Sequence, residues 1–80
     1  MGLSIEYSRE VDAIYIWLRR GVERAFGRKL DDSRYIDFGG DGRPIGIELL
    51  NVSHGVETEG LPEKAAVERL LARRRIRIFA

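Results

Sequence analysis

The chain alternates apolar and polar positions with period two over most of its length, then changes to helical spacing near its end. Leu3, Ile5 and Tyr7 alternate with Ser4 and Glu6, the pattern of a half-buried strand. Ser8-Arg9-Glu10-Val11-Asp12 turns the chain, with Asp12 placed to accept local backbone N–H bonds. Ala13-Ile14-Tyr15-Ile16-Trp17-Leu18 is the most β-prone run. Ile14, Ile16 and Leu18 share one face and Tyr15 and Trp17 the other, which predicts a central strand covered twice: by the core on one side, and by a helix or a partner chain on the other. Arg19-Arg20-Gly21 ends it. Val22 to Leu30 alternates more weakly, with Val22, Phe26 and Leu30 against Glu23, Ala25 and Lys29; this predicts an edge strand guarded by arginines, with Gly27 at a bulge or bend.

After the turn Leu30-Asp31-Asp32-Ser33, the run Tyr35 to Leu50 reads as a hairpin about Asp41-Gly42, a type I′ turn signal. Counting outward pairs Gly40 with Arg43, Gly39 with Pro44, Phe38 with Ile45, Asp37 with Gly46, Ile36 with Ile47 and Tyr35 with Glu48. The aliphatic set and Phe38 then face the core, while Asp37, Tyr35 and Glu48 face out. Asn51 to Gly60 is a loop by composition. Leu61-Pro62 opens a helix with Pro62 in its first position, Glu63 at its positive end and Ala66, Val67, Leu70 and Leu71 as the apolar stripe; it ends near Arg73 or Arg74. Alternation of Ile76, Arg77 and Ile78 before Phe79 allows a short final strand. The expected architecture is α+β: an antiparallel meander of four to five strands with one C-terminal helix packed on it. It forms a single domain over 1–80, with the β core in 1–53 and the helix and short strand in 61–80.

Eighty residues bury roughly 60% of the unfolded surface, so stability is marginal and association is a natural remedy. The chain has no cysteine, which excludes disulfides and thiolate metal sites and suits a reducing cytoplasm. Its apolar runs are too short for a signal peptide or membrane span, so no membrane partner is expected. The net charge of +1 hides an asymmetry: residues 1–60 carry eight basic against eleven acidic side chains, and residues 61–80 six against two. Arg69, Arg73, Arg74, Arg75 and Arg77 form the candidate basic patch, although arginines at a helix C-terminus also complement its dipole.

Candidate chemistry is sparse. His54 is the only imidazole, and Asp12, Asp31, Asp32, Asp37, Asp41 and Glu48 fit turns and a solvated face better than a metal loop. The serines lack a nucleophile elbow, and Gly39-Gly40-Asp41-Gly42 lacks the Lys-Ser/Thr of a phosphate loop. No catalytic, cofactor or metal residues are therefore assigned. The aromatic pair Tyr15 and Trp17, joined by Tyr35 and Glu48, is the remaining feature. Covered by the C-terminal helix, the preferred expectation, these aromatics are second-layer core. Uncovered and rimmed by Arg19, Arg20 and Glu48, they are an interface.

Tyr7, Asp12, Ala13, Ile14, Tyr15 and Ile16, followed by Asp41, Gly42, Gly46, Ile47, Glu48, Leu49 and Leu50, make the chain resemble the small prokaryotic domain of unknown function 2283 family across roughly Ile5 to Ser53. It departs at Ser8-Arg9, where the family tends to Asp-Pro, and at Pro44, where an aliphatic residue is usual. The resemblance implies no established activity and no catalytic residues; by size and setting such proteins are analogous to partners of small toxin-like proteins. Three functions follow in order. The first is a non-enzymatic protein-interaction module, as a homodimer or as the antitoxin-like partner of another small protein. The second is a nucleic-acid-associated protein using the basic C-terminal segment. The third is a small hydrolase or metal-dependent enzyme with Asp12, Asp37, Glu48 and His54 in a site between subunits.

Overall fold

The computed structural model describes residues 3–79. Met1, Gly2 and Ala80, which the expected domain bounds include, lie outside the described residues. Five strands, β1 (Ser4–Ser8), β2 (Ala13–Trp17), β3 (Arg24–Asp31), β4 (Arg34–Gly39) and β5 (Pro44–Leu50), form one antiparallel sheet in the order β1-β2-β5-β4-β3. A 3-10 turn over Val52–His54 and a helix α1 (Lys64–Arg73) follow. The α+β class with one C-terminal helix is the expected one. Within it, the hairpin β1–β2 and the meander β3–β4–β5 are separate units joined where β2 pairs with β5.

Alternation decides which side of this sheet becomes core. Ile14 and Ile16 on β2 and Ile47 and Leu49 on β5 are cross-strand partners and fully buried, as are Val67 and Leu71 of α1, which close over them. Val52, Val56 and Leu61 complete the cluster, and Leu3, Ile5, Leu18 and Ile76 pack on its margin. The helix stripe is thus as expected, but its start is not. Pro62 and Glu63 precede the helix, and Glu63 is its N-cap in a left-handed conformation (φ 54°) without a side-chain cap. The helix ends near Arg73 as anticipated. There Ile76 N–H bonds to Leu71 O (3.0 Å) and Arg75 N–H to Ala72 O (3.0 Å), a Schellman closure with Arg75 at φ 59°. The final strand reduces to one parallel bridge between Ile78 and Val56, so the C-terminal segment pairs with its own chain's loop and not with the sheet.

The hairpin register holds for Tyr35–Glu48, Ile36–Ile47 and Asp37–Gly46, then slips. Phe38 pairs with Pro44, and Ile45 becomes the extra residue of a bulge whose carbonyl accepts both Leu18 N–H (2.8 Å) and Arg19 N–H (3.2 Å). A type I′ turn needs two positive φ angles; here only Gly42 has one (79°), and Gly42 N–H bonds to Gly39 O. The connection is therefore a three-residue loop, Gly40-Asp41-Gly42. Arg19 holds it from outside, with two bonds to the Asp41 carboxylate (both 3.1 Å) and one each to Arg43 O and Pro44 O.

Three more expectations change. Phe38 leaves the core and stacks on Phe26 of β3 (4.9 Å, 7°), beyond the reach of α1. The bulges of β3 fall around Ala25 and Leu30, not at Gly27. Asp12 makes no local turn bond through its carboxylate: it accepts Ser53 N–H (3.0 Å) and Ser53 Oγ–H (2.7 Å), while its own carbonyl accepts Val52 N–H. It ties the first turn to the chain leaving β5.

Candidate functional site

The second face of the sheet carries the aromatics. Its ladder places Glu6, Tyr15, Glu48, Tyr35 and Lys29 side by side in one row across all five strands. The neighbouring row is Ser4, Trp17, Gly46, Asp37 and Gly27. The helix packs on Ile14, Ile16, Ile47 and Leu49, which point the other way, and no helix or strand of the described residues covers Tyr15 and Trp17. The preferred expectation of a second-layer core is therefore corrected. The single helix can cover only one face, and the stripe of Val67 and Leu71 selects the aliphatic one.

Glycine in the second row makes room for what happens there. The Tyr15 ring lies across Gly46, where any Cβ would overlap the ring and hydroxyl. Its Oη–H donates to Asp37 Oδ2 (2.8 Å). The other oxygen of Asp37 accepts Arg24 Nε–H (2.9 Å), and the Arg24 guanidinium lies over Gly27, where a Cβ would come within 2.6 Å of it. Burial, then the hydrogen bond to Asp37, raises the Tyr15 pKa far above that of an ordinary phenol, so Tyr15 stays neutral and donating.

Trp17 meets Tyr15 edge to face (4.8 Å, 68°), and the Arg20 guanidinium covers the indole at 4.6 Å while donating to Ser4 Oγ (2.9 Å). Arg19 does not rim this patch, being committed to the hairpin tip. Beside Trp17 a hollow of about 380 Å³ is bordered by Glu6, Tyr15, Val22, Arg24, Asp37 and Ile45. The Trp17 Nε1–H is buried with no acceptor. Glu6 and Glu48 are exposed and form no ion pair among the described residues, whereas Lys29 is paired with Asp32 (3.0 Å).

The structure thus brings the four expected interface residues, Tyr15, Trp17, Tyr35 and Glu48, onto one open face. It adds Arg24 and Gly46 to them, places Arg20, expected at the rim, over the indole, and gives the outward-facing Asp37 to the Tyr15 hydroxyl. Asp37 opposite Gly46 was legible from the hairpin count; that a tyrosine from a third strand would cross the glycine was not.

The other candidate sets disperse. Asp37 and Glu48 lie on the outer face, Asp12 is bound to Ser53 beneath the sheet end, and His54 lies exposed in the 3-10 turn. Among the described residues no three His, Cys, Asp or Glu side chains converge as a metal site would require. In the basic segment Arg73, Arg74 and Arg75 are exposed. Arg77 donates to His54 O (3.3 Å), and Arg69 borders a hollow shared with Glu57, Glu59 and Glu68, so cations and acids are interleaved there. No helix among the described residues is long and apolar enough to cross a membrane.

The profile of a family described as protein of unknown function (DUF2283) matches residues 4–53, from the first residue of β1 through Ser53, the partner of Asp12. The match spans more than half of the chain, which belongs to that family. No curated protein and no solved structure matches the chain.

Proposed function

We propose that this DUF2283 family member is a non-enzymatic protein-interaction module that works through the open face of its sheet, as a homodimer or as the small partner of another small protein, antitoxin-like by analogy. One observation carries the proposal: Tyr15 and Trp17 are locked in place by Asp37, Arg24 and Arg20, yet no helix or strand of the described residues lies over them. Aromatic and arginine side chains dominate the energetics of protein interfaces, and side chains already ordered before docking lose little further entropy. A prokaryotic cytoplasm suits a chain without cysteine. The basic segment gives nucleic-acid binding less support, since Arg69 shares its hollow with Glu57, Glu59 and Glu68 and Arg77 is turned to the His54 carbonyl.

A photo-crosslinking amino acid placed at Tyr35 on the outer face, and separately at Glu63 before the helix, tests this in cells of the source organism. A discrete adduct at Tyr35 and none at Glu63 is expected. No adduct from Tyr35, or from Glu48 beside it, would remove the proposal.

A further inference from the structure

Resting on that reading, we infer that the occupant of the open face is a second copy of this chain, related by a two-fold axis that runs across the strands between the Tyr15 and Trp17 rows. Such an axis lies in the contact plane and turns each row onto its neighbour in the other copy. The Glu6-Tyr15-Glu48 row of one copy then meets the Ser4-Trp17-Gly46 row of the other.

The chemistry of the two rows is complementary at their β1 and β2 positions. Glu6 ends the first row on β1 with a free, exposed carboxylate. Arg20 sits at the matching end of the second row, bonded only to the Ser4 hydroxyl and the Trp17 ring, with no carboxylate among the described residues. The two-fold brings Glu6 of each copy to Arg20 of the other, and Tyr15 of each to Trp17 of the other. Both contacts occur twice. At the centre, Glu48 of each copy meets the Tyr15 ring that lies across Gly46 of the other.

The alternative axis, running along the strands through β5, would set Glu48 against Glu48. Like charges therefore select the cross-strand axis. Two antiparallel sheets stacked this way are an ordinary aligned packing about 10 Å apart, with the Tyr15–Trp17 contacts flanked on β1 by the Glu6–Arg20 pairs.

Charge reversal of the full chain tests this. The variants Glu6→Arg and Arg20→Glu each place like charges at both symmetric contacts, while an equimolar mixture of the two restores opposite charges at both. Neither residue touches the helix-side core, so each variant should keep its thermal unfolding transition. Light scattering and sedimentation across a dilution series are expected to show a wild-type dimer. Each single variant should raise the dimer Kd at least tenfold, and the mixture should return to near the wild-type Kd.

A wild-type dimer unmoved by both variants overturns the two-fold, as does a mixture no tighter than its components. A wild-type monomer at every concentration overturns the second copy as occupant. In that case the Tyr35 crosslink to a different protein would still uphold the interaction reading, and absence of any crosslink would end both.

Discussion

Tyr15 is held by three neighbours that act together, and each can be removed singly. Gly46→Ala drives a methyl into the tyrosine ring and hydroxyl; overpacking of this kind costs about 1–3 kcal/mol. In a Tyr15→Ala background the same change should be nearly neutral, because the obstructing ring is gone. A double-mutant cycle by urea denaturation checks this, and additive costs would contradict the crossing of Gly46 by Tyr15. Tyr15→Phe deletes the hydrogen bond to Asp37, a loss of about 1 kcal/mol, and it should also flatten the alkaline limb of stability. The folded-state pKa of Tyr15 is raised, so its contribution is complete below the unfolded phenol value of about 10. As pH rises past that value the unfolded chain releases a proton that the folded chain keeps, and the contribution is lost. Denaturation midpoints across that range should therefore fall more steeply in the wild type than in Tyr15→Phe.

Among the elements, helix α1 ends on a residue ill suited to its place. Arg75 closes the Schellman motif in the left-handed region, where a Cβ costs about 1–2 kcal/mol and glycine nothing comparable. Arg75→Gly should raise stability by about 1 kcal/mol, an increase of several degrees in Tm for a chain of this size, measured by calorimetry. The connection between β1 and β2 behaves in the opposite way. Asp12 combines a positive φ (55°) with two bonds to Ser53, so Asp12→Ala should cost about 2 kcal/mol, combining backbone strain with an unpaired Ser53 N–H. Asp12→Asn, which tolerates the left-handed conformation and keeps an acceptor, should cost clearly less. Asp12, expected to serve its own turn, is thus a long-range tie, and its partner lies forty-one positions away.

For the whole molecule, two ion pairs bind segments that the sheet ladder alone would leave loose. Arg34 bridges Asp31 to the carbonyls of Glu57 and Glu59, drawing the loop before the helix onto the sheet. Arg19 joins the end of β2 to the hairpin tip. The Arg34 hydrogen bond first, then the Ser33 N–H, holds the Asp31 pKa below the ordinary carboxylate range; Arg19, then the Arg43 N–H, does the same for Asp41. Lowered carboxylate pKa values contribute stability above the unfolded value, near 4, and lose it as pH falls through the folded one. Stability should accordingly decline on acidification below about pH 4, and Asp31→Asn combined with Asp41→Asn should shrink that decline.

The sequence by itself determined the elements that local pattern controls. Strand positions, the three central pairs of the β4–β5 hairpin, the stripe of α1 and the segregation of Tyr15 and Trp17 from Ile14 and Ile16 all follow from residue spacing, because side-chain direction repeats with the backbone. Tertiary structure decided what depends on neighbours distant in the chain. It set β5 between β2 and β4, left Phe38 stacked on Phe26 outside the cluster under α1, and sent Asp12 to Ser53. It also left the aromatic face open, since one helix cannot cover two faces and the aliphatic side offers it the closer packing. The Tyr15–Asp37–Arg24 arrangement belongs to this second class: its members come from three strands, and only the strand order places Gly46 between them.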